Sequence, residues 1–213
     1  MVYSISKSFL ATAYGFALDE GKISRETKLI DVFPEVSKKQ DAFLEKLTIH
    51  HLLCMTAGKQ TSIRGSKSDD WLKLFINAKW IFEPGTSWRY VNDNYYVASK
   101  MLCKILGESI TEYLTTRLYE PLGIDVPFWE HSPEGVEAGG WGLQLKTEDI
   151  AKLILCYQNN GRYNGVQVIP EWWTKEATSY ISDNSVSEKE PDASAGYGCG
   201  FWRCAGMPNT YRA

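Results

Sequence analysis

Ser4 and Lys7 stand three residues apart at the head of an apolar segment that begins Tyr3-Ser4-Ile5-Ser6-Lys7-Ser8-Phe9. In a helix starting at or just before Ser4, this spacing sets both side chains on one face, with Cβ atoms about 5–6 Å apart. A serine hydroxyl is a weak nucleophile at neutral pH and needs an adjacent base; a lysine fills that role only when burial or neighbouring cations lower its pKa. The N–H groups and positive dipole end of the first helical turn act in the same direction, depressing the lysine pKa and favouring an anion at the serine. The bland alternative is that Ser4 caps the helix and Lys7 is solvated, and a chain of this size holds roughly one Ser-x-x-Lys by chance. Against it, a capping box calls for Glu or Gln at the third position, and a first-turn lysine opposes the dipole.

A second group with chemical use is Tyr90-Val91-Asn92, just after the Pro84-Gly85-Thr86 turn and before a helical segment. A phenol can relay a proton, and an amide can fix a carbonyl or a lysine amine. Asn92 could also serve as a helix N-cap. Tyr157-Gln158-Asn159 repeats the spacing, but there Tyr157 lies on the apolar face of a helix and packing accounts for it.

The elements that must hold these groups are mostly helical. Phe9, Ala13, Phe16 and Ala17 recur at helical spacing up to Gly21, which predicts a central, buried first helix ending near Glu20. Residues 22–43 read as irregular. Thr48 is an N-cap for a short helix through His50, His51 and Cys54 that stops at Gly58, where the paired histidines pack and cap. A polar loop over 59–70 leads to a short amphipathic helix through Trp71, Leu72, Leu74 and Phe75. Val97, Met101 and Ile105 mark a helix ending by Gly107, and Ser109 to Glu112 forms a capping box for the next. Thr147 caps a helix through Ile150, Leu153, Ile154 and Tyr157 that Gly161 ends; Asn164-Gly165 reads as a hairpin turn, and Pro170 as the first position of a helix. Residues 182–195 read as an exposed, mobile loop. Tyr197 to Cys204 and Asn209 to Ala213 read as two strands joined across Gly206-Met207-Pro208.

Composition narrows the chemistry. The 213 residues, 44% of them hydrophobic, suffice for one substantial core, and neither an internal repeat nor a linker divides the chain, so 1–213 is read as a single domain. A net charge of -3 with mixed signs gives no footprint for nucleic acid. No apolar stretch is long enough for a membrane span, and no signal peptide precedes the motif, which reads as a cytoplasmic chain. Five cysteines without CxxC spacing read as reduced thiols, and three ill-spaced histidines argue against a zinc site, so neither metal nor cofactor is expected.

The ordered set Ser4-Ile5-Ser6-Lys7, Leu47-Thr48-Ile49-His50-His51-Leu52-Leu53, Pro84-Gly85-Thr86, Tyr90-Val91-Asn92, Glu120-Pro121-Leu122-Gly123, and Gly142-Leu143 followed by Thr147-Glu148-Asp149-Ile150-Ala151 resembles the serine β-lactamase and penicillin-binding-protein superfamily. Within it, the chain is similar to the branch of class C β-lactamases, D-Ala-D-Ala peptidases, related esterases and 6-aminohexanoate-dimer hydrolases. The resemblance implies an α/β (α+β) fold and hydrolysis of an amide, lactam or ester in a small-molecule or peptide-like substrate. It implies Ser4 as the acylated nucleophile, Lys7 as its activating partner, Tyr90 as proton shuttle and Asn92 as a positioning group. The Ser4 N–H would be one oxyanion donor. Trp141, flanked by glycines in Gly139-Gly140-Trp141-Gly142, is the candidate for a pocket wall.

Two parts of the family pattern are not found: the strands that usually precede the Ser-x-x-Lys helix, and the third motif, a Lys/His-Thr/Ser-Gly or glycine-rich strand edge that supplies a second oxyanion donor. The expected architecture is therefore a helix-rich portion with short strands and an antiparallel sheet incomplete at both ends. Strongly reduced or absent turnover by the isolated chain follows, as does an exposed apolar face on the first helix that favours self-association. A catalytically incompetent ligand-binding or regulatory fragment of the same fold is the alternative function.

Overall fold

The computed structural model describes residues 1–39, 41–206 and 210–213. Its helices are α1 (Ser6–Asp19), α2 (Leu29–Val32), α3 (Ile49–Leu53), α4 (Trp71–Asn77), α5 (Asn92–Leu106), α6 (Ile110–Leu114), α7 (Glu120–Leu122), α8 (Thr147–Gln158) and α9 (Glu171–Ala177). Strands are short and pair two by two, all antiparallel: β1 (Lys59–Gln60) with β2 (Lys79–Trp80), β3 (Arg162–Tyr163) with β4 (Val166–Gln167), and β5 (Trp202–Arg203) with β6 (Tyr211–Arg212). This is a helix-rich α/β fold whose antiparallel sheets do not close. Among the described residues, no helix is long and apolar enough to cross a membrane.

α1 is the axis of the core. Every residue from Ser6 to Ala17 is buried, which a helix apolar on nearly all sides requires. Its polar side chains are paired inside: Ser8 Oγ donates to the Gly200 carbonyl at 2.8 Å, and Thr12 Oγ1 donates to the Ser8 carbonyl and meets the Tyr157 hydroxyl, each at 2.8 Å. Gly15 leaves room for α9 to pack closely, since a Cβ there would lie 2.3 Å from the Trp173 ring. The exposed apolar face expected on α1 is therefore absent: α5, α6 and α9 pack against it, and the Tyr197–Phe201 segment covers its first turns. The exposed large apolar side chains among the described residues belong elsewhere, such as Val126 and Phe128 in a loop, Leu155 on α8 and Trp172 on α9.

Local signals in the sequence act as expected at several points. Thr48 Oγ1 accepts from the His51 N–H at 3.2 Å while His51 Nδ1 accepts from the Thr48 N–H at 3.3 Å, so His51 completes a reciprocal cap of α3. Ser109 and Glu112 form the capping box of α6. Gly107 ends α5 at φ +75°. Asn164 and Gly165 both have positive φ, the type I′ requirement, between paired Tyr163 and Val166.

Elsewhere the structure differs. The 22–43 region contains α2 and a 3-10 turn over Pro34–Lys39. Lys146, not Thr147, takes the N-cap position of α8, and Pro170 precedes α9 rather than opening it. The 182–195 loop is anchored by Asn184, fully buried, whose side-chain oxygen accepts from the Gly196 N–H at 2.8 Å. The expected C-terminal strands shrink to β5 and β6, with Met207, Pro208 and Asn209 outside the described residues.

Candidate active site

Ser4 sits in a 3-10 turn over Tyr3–Ile5 that leads directly into α1, and the preceding Tyr3 holds a left-handed backbone at φ +43°. A non-glycine residue in that region is uncommon and clusters at functional sites. Lys7 lies one turn further in and is 1% exposed. Its Nζ is 3.1 Å from Ser4 Oγ, 2.8 Å from Asn92 Oδ1 and 2.7 Å from the Gly140 carbonyl oxygen.

These three contacts are not equivalent. The Asn92 and Gly140 oxygens carry no proton and can only accept, so they take two N–H groups of Lys7. In the neutral amine, the lone pair then points toward the remaining neighbour, the Ser4 hydroxyl. Burial supplies the neutral amine: it pulls the Lys7 pKa down to about 7, against the opposing charge of Asp93. Asp93 is itself buried and accepts from the Ile63 N–H at 2.8 Å and Thr61 Oγ1 at 3.1 Å.

Asn92 is the first residue of α5, and Val91 occupies the N-cap position without a side-chain bond. The Asn92 side chain is thus turned to Lys7 and does not cap its helix. Gly140 reaches Lys7 because the glycine pair lets the backbone lie on the start of α5. A Cβ on Gly140 would stand 2.7 Å from the Asn92 carbonyl oxygen, and one on Gly139 would stand 2.6 Å from that of Tyr95. The same strip is tied to the chain start: Val2 N–H donates to the Leu143 carbonyl at 2.9 Å, and Leu143 N–H to Ser6 Oγ at 3.3 Å.

Tyr90 brings a phenol to Ser4. Burial raises its pKa while a hydrogen bond with Ser4 opposes the shift, so the phenol is protonated at neutral pH. Its ring stacks on Trp202 at 5.2 Å between centroids and meets Tyr197 edge-on at 6.2 Å. The Lys7 amine stands 5.0 Å from the Tyr90 ring centre. Beside Tyr90 and Asn92 opens a cleft of about 410 Å³, also lined by Gln60, Thr61, Ser62, Arg64, Arg89, Val91 and Asp93. The arrangement can remove a proton from Ser4 and pass one across Tyr90.

Trp141 stands apart from this geometry. Its ring is 3% exposed, donates to Glu130 Oε1 at 3.0 Å and packs 5.9 Å from the Trp71 ring. Arg64, which lines the cleft, places its guanidinium 5.9 Å from the Trp141 ring. Sequence reasoning missed the Gly140 carbonyl, Asp93 and the Tyr197–Trp202 wall. The Gly139-Gly140 pair beside Trp141 was the available signal for the first of these. It also missed that His50, Cys54 and Cys199 come within 4.8 Å of one another through their ligand atoms.

A family model described as Beta-lactamase matches residues 1–211, nearly the whole chain. The chain belongs to the beta-lactamase family. It is 26% identical over 174 residues to the Beta-lactamase of Escherichia coli (strain K12), a match covering 71% of this chain and 45% of that protein. An uncharacterized Alkalihalophilus pseudofirmus protein is 23% identical over 209 residues, 89% of this chain and 57% of its own length. The chain thus spans about half the length of these relatives. A solved structure from Bacteroides dorei, provisionally described as a beta-lactamase, superposes with a TM-score of 0.78 at 18% identity over 95% of this chain and 65% of that one. At this identity the likeness is one of fold.

Proposed function

We propose that this member of the beta-lactamase family is a serine hydrolase that cleaves an amide, lactam or ester through acyl-Ser4. The observation that carries the reading is the triple coordination of Lys7. Two acceptor oxygens orient its amine, and burial lowers its pKa to about 7, so the group facing the Ser4 hydroxyl is a competent base at neutral pH.

Lys7 takes the Ser4 proton as Oγ adds to the substrate carbonyl. The Ser4 N–H donates to the oxygen on which negative charge develops. Tyr90, protonated and hydrogen-bonded to Ser4, delivers its proton to the leaving group and is reprotonated by the proton that Lys7 took from Ser4, which returns the amine to its neutral form. Asn92 keeps the amine aimed throughout. Water then releases the acyl group by the same base in reverse order. The substrate lies in the polar cleft beside Tyr90 and Asn92, and Trp141 supports its wall through Arg64.

The test is intact-mass detection of a covalent adduct after exposure to a penicillin or a fluorophosphonate, with peptide mapping. An adduct on Ser4 that disappears in Ser4→Ala is expected. No adduct with either reagent, in protein shown to be folded by circular dichroism, would overturn the reading and favour a ligand-binding role for the fold.

A further inference from the structure

Cys54 and Cys199 lie 145 positions apart, yet their sulfur atoms are 3.1 Å apart in the core. Cys54 is 1% exposed and Cys199 is fully buried. His50, one helical turn before Cys54 on α3, brings Nε2 to 3.5 Å and Nδ1 to 3.8 Å from the Cys54 sulfur. The histidine is half-buried, so it is the side of this cluster nearest solvent. Both cysteine backbones are anchored: Cys199 N–H donates to the Ala177 carbonyl at 2.9 Å, and the Cys54 carbonyl accepts from Ser182 Oγ at 3.0 Å.

Two chemistries suit such a cluster. A tetrahedral zinc ion with Zn–S bonds of about 2.3 Å holds its sulfurs roughly 3.7 Å apart, so this pair would have to separate inside a packed core. A disulfide of about 2.05 Å requires the sulfurs to close along the line on which they already touch. We propose that Cys54 and Cys199 form a peroxide-sensitive dithiol that closes to a disulfide, with His50 as the base for Cys54.

Burial lowers the His50 pKa, and burial with the Cys199 sulfur raises that of the Cys54 thiol, so both groups are neutral at rest and the transfer of the thiol proton to His50 is uphill, completed only as the sulfur bonds to the oxidant. In the first step His50 takes the Cys54 proton and the sulfur attacks one oxygen of hydrogen peroxide. The O–O bond breaks, Cys54 becomes a sulfenic acid, and the departing hydroxide collects the proton from His50 as water. In the second step the Cys199 sulfur attacks the Cys54 sulfur. The S–O bond breaks, the S–S bond forms, and the Cys199 proton leaves with the hydroxide as a second water. Two thiols are oxidised and one peroxide is reduced. A small oxidant is required because a bulky disulfide cannot reach thiols this buried.

The new bond would tie α3 to the segment that carries the site's aromatic wall. Gly200, next to Cys199, accepts from Ser8 on α1, and Tyr197 meets the Tyr90 ring. The experiment treats the full chain with hydrogen peroxide under native conditions, quenches with N-ethylmaleimide in denaturant and maps peptides without reduction. Expected are the loss of two hydrogens in intact mass, a 54–199 peptide pair, and unlinked Cys103, Cys156 and Cys204. The thermal midpoint should rise and return with dithiothreitol. His50→Gln should slow linkage about tenfold or more, and Cys199→Ser should leave a dimedone-reactive sulfenic acid on Cys54. Sulfinic acid at Cys54 without linkage, a link through Cys204 instead, or retained zinc that protects both thiols would each overturn the proposal.

Discussion

Lys7 Nζ donates to Asn92 Oδ1 across 2.8 Å, joining the first turn of α1 to the first residue of α5 over 85 positions of sequence. With the Gly140 carbonyl on the same amine, this bond decides which way the nitrogen lone pair points. Asn92→Ala removes that constraint and should slow acylation of Ser4 by about 10²-fold. Asn92→Asp puts an anion against the amine and should raise the Lys7 pKa, moving the acid limb of the acylation profile to higher pH. Stopped-flow acylation by a chromogenic cephalosporin across pH reads both variants; an unshifted limb in Asn92→Asp would remove Lys7 from the role of base.

Acylation of the unaltered chain should rise with pH and reach half its plateau near pH 7, where Lys7 loses its proton. Stability should carry the same signature. Between about 7 and the ordinary lysine value of 10.5, the unfolded chain binds the Lys7 proton and the folded chain does not, so folding becomes more favourable as pH rises. Relative to Lys7→Met, the wild type should gain up to about 1.4 kcal/mol per pH unit across that window. Urea unfolding of both proteins at several pH values checks the slope, and a flat difference would mean Lys7 keeps its proton in the fold.

Tyr90→Phe keeps the ring that stacks on Trp202 and removes only the hydroxyl. Thermal stability should therefore change by less than about 1 kcal/mol, whereas acylation should fall by about 10²-fold or more. Equal losses of stability and rate would identify Tyr90 as a packing residue alone.

Gly140→Ala tests the glycine pair. The added methyl would meet the Asn92 carbonyl oxygen at 2.7 Å and Tyr95 Cβ at 3.1 Å, both parts of α5 that cannot swing aside. A destabilisation of about 1–3 kcal/mol is expected, with slower acylation because the Gly140 carbonyl leaves Lys7. Calorimetry and the acylation assay measure the two effects separately.

Short-range features of the fold were legible in the sequence because they rest on local rules. The caps at Thr48 and Ser109, the Gly107 stop, the Asn164-Gly165 turn and the buried span of α1 depend on neighbouring residues and a 3.6-residue period. Element edges at Lys146 and Pro170 moved by one residue because adjacent cap positions compete closely. The C-terminal strands were overestimated because alternating aromatic residues there serve a ring cluster around Trp88, Tyr90, Tyr197 and Trp202 instead of a long ladder.

The sequence by itself offered Ser4 and Lys7 as a facing pair, since a three-residue spacing within one helical turn puts both side chains on one side, but it left a capping serine and a solvated lysine open. The resemblance of its ordered motifs to the family's implied Tyr90 and Asn92 as their partners. Tertiary structure alone decided what Lys7 is. Its burial, its two acceptor oxygens and the opposing charge of Asp93 come from α5 and the Gly139-Gly140 strip, and a pKa near 7 is a property of that enclosure. The same holds for the sulfur contact of Cys54 and Cys199, because packing across 145 positions leaves no periodic trace in the chain.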